Sequence, residues 1–139
     1  MTKFEQIESI ITSFETALNN ANMQNKFGKA NNKPYYFRGE IPQTRVNDLL
    51  LLRYNVTDSI PLQADNLWHT LAVYINASLF INSADGFSNT KYQNLLKKIE
   101  EEVIKLGFSI KYGMEMERDL LGDATTITYQ KELEFTIRR

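Results

Sequence analysis

The chain has no cysteine and a single histidine, and only three prolines and six glycines among 139 residues. Without cysteine there is no disulfide, no thiolate metal site and no thiol nucleophile. The one histidine, His69, has no Ser or Asp partner at a recognisable spacing, so a structural or exposed role is expected for it. No apolar run approaches the ~20 residues that span a bilayer. The opening Met-Thr-Lys-Phe-Glu-Gln begins an amphipathic pattern and not an apolar leader, so a small cytosolic domain without a membrane partner is expected.

Charge of one sign is also lacking. Sixteen Lys and Arg face seventeen Asp and Glu, for a net charge of −1, and both signs are mixed along the chain. Nothing here drives the protein globally toward nucleic acid or anionic lipid. Two glycosylation sequons, Asn55-Val-Thr57 and Asn76-Ala-Ser78, fall in apparent strands and are read as chance. Internal repeats and low-complexity tracts are absent, and the length suits one domain covering 1–139.

What is present is periodicity. Phe4, Ile7, Ile11, Phe14 and Leu18 recur at steps of three and four, which predicts a helix over 3–20. Residues 22–34 offer little to bury and read as a flexible loop. Tyr35-Tyr36-Phe37 suits a short edge strand. The run Asp48-Leu-Leu-Leu-Leu-Arg-Tyr-Asn-Val56 reads as a strand buried on both faces, with a short leucine-rich helix as the competing reading.

Residues 68–81 alternate cleanly. Leu71, Val73, Ile75, Ala77, Leu79 and Ile81 share one side, and Trp68, Tyr74 and Phe80 are among those on the other. Residues 90–106 form a second amphipathic helix with Tyr92, Leu95, Leu96, Ile99, Val103 and Leu106 inward, stopped at Gly107. Two strands then close the chain. One runs from Phe108 through Met114, Met116 and Glu117, a turn is expected at 120–124, and the last strand spans 125–138. Lys131 sits on the apolar side of that strand and is its one misfit. The expected class is α+β in the order α-β-β-β-α-β-β: an antiparallel-dominated twisted sheet with two helices on one face.

The chain offers no recognisable chemical constellation. Glu100-Glu101-Glu102 fan around a helix and cannot converge on one ion. Glu115, Glu117 and Asp119 have no calcium-loop or histidine spacing beside them. Gly28 and Gly39 stand alone, outside any phosphate loop. No metal, no cofactor and no catalytic residue is expected, and the chain is read as not an enzyme.

The strand Leu51-Leu52-Arg53-Tyr54-Asn55-Val56, the Asp65 turn and the strand Leu71-Ala72-Val73-Tyr74-Ile75 form the first part of a familiar arrangement. A variable loop, a helix ending Leu-Gly-Phe at 106–108 and a hairpin ending in 129–137 complete it. In element order and spacing the chain resembles the tail-terminator or tail-completion proteins of tailed bacteriophages, and related neck and head–tail joining proteins. The resemblance implies a virion protein of the tail or neck, assembled in the bacterial host cytoplasm. It implies self-association into a ring, usually six-membered, that caps the tail tube and joins it to the head. Partners would be the tail-tube protein and head-completion or connector proteins, with genomic DNA only in transit. Two other classes stay open: a small cytosolic binding module, or an enzyme using His69 with distant carboxylates.

On the ring reading, apolar side chains in loops, hairpin ends and broken strands are the candidate oligomer interface: Tyr35, Tyr36, Phe37, Met114, Met116, Leu120 and Leu121. Glu115, Glu117, Glu132 and Glu134 are the candidate lumen lining, because a basic lining would retard phosphates.

Overall fold

A computed structural model describes residues 2–25, 34–45, 50–59, 72–83, 89–113, 117–121 and 126–138. Two helices, α1 (Lys3–Asn25) and α2 (Asn89–Lys105), accompany six strands. The strands are β1 (Tyr36–Arg38), β2 (Leu50–Ser59), β3 (Ala72–Ser83), β4 (Ser109–Tyr112), β5 (Glu117–Leu121) and β6 (Thr126–Arg138). A 3-10 turn spans Gln43–Arg45. The class is the expected α+β with an antiparallel-dominated sheet.

The sheet runs β1-β2-β3-β6-β4, and β5 lies beside β4 along the same edge of β6. Among the described strands only the β1–β2 pair is parallel. The strand expected from Phe108 onward is therefore two strands. Tyr112 pairs with Leu133 and Glu117 with Gln130, so four residues intervene on one side of the ladder and two on the other. An excess on one strand of an antiparallel pair is a bulge-like interruption. Gly113 suits its margin: an added Cβ would stand 3.1 Å from the Glu132 Cβ and 3.2 Å from its carbonyl oxygen.

The core lies on one face of this sheet. Phe14 of α1 meets Tyr54 and Phe135 edge-on and Phe108 at a tilt, with ring centroids 5.4, 4.9 and 5.7 Å away. Leu95, Ile99 and Val103 of α2 join the same cluster with Leu52, Ile75, Leu79 and Phe135. The cluster takes alternate residues of β2, β3 and β6, as a pleated strand requires. Both helices therefore cover the same face.

Several boundaries move. Helix α1 continues five residues past the expected end at Asn20, reaching Asn25, so 22–25 of the expected loop are helical. Its buried side extends to Ala17 and Ala21, small residues that add packing without a visible hydrophobic peak. Thr2 starts the helix: its hydroxyl accepts from the Glu5 N–H at 3.1 Å and donates to the Glu5 carboxylate at 3.0 Å, a capping box in all but the backbone return bond. The leucine run is strand and not helix. Leu120 and Leu121, expected in a turn, belong to β5.

Helix α2 ends as expected. The Phe108 N–H bonds the Val103 carbonyl and the Gly107 N–H the Ile104 carbonyl, a Schellman pair in which Gly107 adopts a φ of 98°. Lys131 also finds its reason: its ammonium lies 5.7 Å from the centroid of the Tyr112 ring.

Candidate interaction face

Among the described residues, no helix covers the face of the sheet turned away from α1 and α2. Strand alternation sends the other half of β2, β3 and β6 there. Backbone pairing arranges these residues in rows across the strands. Phe37, Arg53, Ser78 and Glu132 make one row. Asn55, Asn76, Glu134 and Lys111 make the next. Leu51, Phe80 and Gln130 lie on the other side of the first.

Charge is segregated along the first row, whereas the second ends on β4 with a cation, Lys111, paired with Glu134. At the β1–β2 end are cations on aromatic rings: the Arg45 guanidinium sits 5.2 Å from the Phe37 centroid, and that of Arg53 5.8 Å from the Phe80 centroid. On β6 stand the carboxylates. Ser78 Oγ donates to both Glu132 oxygens, at 3.0 and 2.8 Å, and Gln130 Nε2 donates to Oε1 at 2.6 Å. Charge-assisted bonds of this kind hold the carboxylate in one orientation. Arg53, Asn55 and Asn76 are exposed, whereas Glu132 and Glu134 are half-buried. Leu51 is buried on this side, outside the main core cluster.

A concavity of about 270 Å³ lies between the helices and is lined by Thr12, Ser13, Thr16, Asn20, Glu102 and Leu106 among others. Two of the hydroxyls there are engaged by the helix itself, Thr12 with the Glu8 carbonyl and Thr16 with the Thr12 carbonyl. No group of three or more metal-ligating side chains occurs among the described residues. Among the described residues the strongly shifted titratable groups are tyrosines. Burial, with a smaller contribution from neighbouring Tyr36, pushes the Tyr35 phenol far up. Burial followed by its bond to Glu15 does the same for Tyr54. Both stay protonated at neutral pH and act as hydrogen-bond donors.

The expected interface residues part company. Tyr35 is a core residue, 5% exposed, whose hydroxyl donates to the buried Leu18 carbonyl at 2.7 Å; the monomer itself uses it. Tyr36 and Phe37 are half-buried in edge strand β1, on opposite sides of the sheet. Leu120 and Leu121 pair through their backbone with Ile127 and Thr126. Met114, Glu115 and Met116 lie outside the described residues, as do His69, Trp68, the Asp65 turn and 26–33 of the expected loop. Of the expected lumen residues, Glu132 and Glu134 share the face turned away from the helices, and Glu117 pairs with Gln130 in the backbone ladder.

Arg53, Phe80 and Ser78 were not singled out from the sequence. Their signal was available in the alternation of β2 and β3, where Arg53 is the one charge within an otherwise apolar run from Leu49 to Tyr54. No family model and no curated protein matches the chain.

Proposed function

We propose that the chain is a structural subunit of a tailed-bacteriophage virion: a tail-terminator or neck component that closes into a ring, caps the tail tube and joins it to the head. The observation that carries this reading is the asymmetry of the sheet. Its two edges are unlike, the three-residue parallel β1 on one side and the interrupted β4–β5 on the other. Contact between unlike edges is heterologous, and a heterologous contact with a suitable rotation closes into a ring. Short and broken edges also resist indiscriminate strand pairing.

Tyr36 and Phe37 at the first edge and exposed Tyr112 at the second supply aromatic contact surface. The order of helices and strands agrees with the resemblance, apart from the division of one strand into β4 and β5. Tail-tube and head-completion proteins are the partners on this reading. Glu132 and Glu134 give an acidic lining if their face turns inward, which lets DNA pass without being held. The role needs no cofactor, no membrane and no catalysis.

Light scattering and negative-stain electron microscopy of the purified protein, alone and mixed with purified tail tubes, test the proposal. Rings seated at tube ends support it. A protein that stays monomeric and never decorates a tube end overturns it.

A further inference from the structure

We infer that the free subunit pairs face to face with a second copy of this chain, about a twofold axis running along β3. The inference concerns the subunit before any ring forms and does not rest on the ring reading. Its basis is how charge is placed about β3. Strands β2 and β6 flank β3 on either side. Arg53 of β2 and Glu132 of β6 are both paired with Ser78, so each lies about 5 Å from β3 at ordinary strand spacing.

A half-turn about an axis parallel to β3 exchanges the two sides and leaves position along the strand unchanged. It sets Arg53 over the partner's Glu132 and Glu132 over the partner's Arg53. The neighbouring row sets Asn55 over the partner's Glu134. The face is thus complementary to itself in a single register, and each contact occurs twice. Sheets packed face to face keep their strands within roughly 30° of each other, as an axis along β3 provides. Glu132 is already held by Ser78 and Gln130, so little side-chain freedom remains to be lost on pairing. Arg53 brings a planar fork suited to a carboxylate. Nucleic acid fits this face less well, because Glu132 and Glu134 stand within it.

Sedimentation equilibrium tests the pairing. Arg53→Glu and Glu132→Arg each set like charges opposite one another twice per pair, and each variant alone should pair about 100-fold more weakly than wild type. An equimolar mixture of the two should pair as wild type does, since every altered site then meets its opposite. Glu132→Arg also removes the Ser78 and Gln130 bonds, so a second measurement leaves those bonds intact. The chain has no cysteine; Asn76→Cys, on the axis strand, should give a covalent dimer with a bismaleimide spanning about 10 Å, the face-to-face distance of packed sheets. Thr12→Cys on the helical side should not. The inference is overturned if wild type remains monomeric at about 100 μM, where even weak dimers form. It is equally overturned if the single charge variants pair like wild type, if mixing restores nothing, or if both cysteine variants cross-link alike. Rings that persist in both charge variants would retain the ring reading and bear on it alone.

Discussion

The Tyr54 hydroxyl donates a 2.5 Å hydrogen bond to the Glu15 carboxylate, tying the middle of β2 to the middle of α1. The Tyr54 ring also meets the Phe14 ring edge-on, so one side chain joins the apolar core to its polar margin. Tyr54→Phe keeps the ring contact and removes only the bond. Hydrogen bonds to charged groups contribute about 1.5–3 kcal/mol when sheltered. Glu15 is half-buried and can recover water, so the expected loss is about 1–2 kcal/mol. Urea unfolding of the two proteins measures it; equal midpoints would show that the bond adds nothing.

Alkali should destabilise the fold in a way that reports Tyr35. Burial holds the Tyr35 and Tyr54 phenols above their ordinary value of 10.0. The folded chain therefore keeps protons that the unfolded chain releases above that pH. The stabilisation is complete below pH 10 and is lost as pH rises beyond it. For fully buried Tyr35 the slope is about 1.4 kcal/mol per pH unit. The Tyr54 share is smaller, because its hydroxyl meets a carboxylate in contact with water. Unfolding midpoints followed across this range should fall, and Tyr35→Phe should flatten the fall.

On α2 the weight of the core rests on Leu95. Leu95, Ile99 and Val103 are fully buried, whereas Leu96 is half-buried at the margin of the cluster. Leu95→Ala should therefore cost about 2–5 kcal/mol. Leu96→Ala, with solvent already on one side, should cost about 1 kcal/mol. The reverse order in denaturant melts would mean that α2 is rotated about its axis relative to this packing.

Legibility in the sequence followed the strength of local periodicity. The alternation of 72–81 and the helical stripe of α2 each carry one dominant repeat, and both became the expected elements. The Asn-rich end of α1 hid its helix, because Ala17 and Ala21 bury well but weigh little in a hydrophobic pattern. Helix ends with dedicated chemistry were readable at Gly107 and missed at Thr2, where Thr-Lys-Phe-Glu spells the cap. The split of β4 from β5 was not legible, because an excess of two residues preserves the alternation on both sides of it. The self-complementary rows needed the register of three strands at once. No single strand shows that Arg53 and Glu132 are equidistant from Ser78.

Neighbouring aromatics of one short segment should separate stability from assembly. Tyr35 lies in the core, with its hydroxyl on the Leu18 carbonyl and its ring 5.5 Å from that of Tyr36. Phe37, two residues on, is half-buried on the edge strand beneath Arg45. Truncating Tyr35 opens a cavity and leaves the buried Leu18 carbonyl short of a partner, so Tyr35→Ala should cost about 3–5 kcal/mol. Phe37→Ala removes a ring that water partly reaches and should cost about 1 kcal/mol. If β1 is a ring contact, the order inverts for assembly. Tyr35→Ala, assayed at a temperature where it remains folded, should still form rings, because its side chain is not at the surface. Phe37→Ala should form them poorly, since an edge aromatic is the kind of anchor on which interfaces depend. Denaturant melts read the first quantity and light scattering with electron microscopy the second. Rings from Phe37→Ala at wild-type yield would take β1 out of the proposed contact and leave the β4–β5 edge to account for closure.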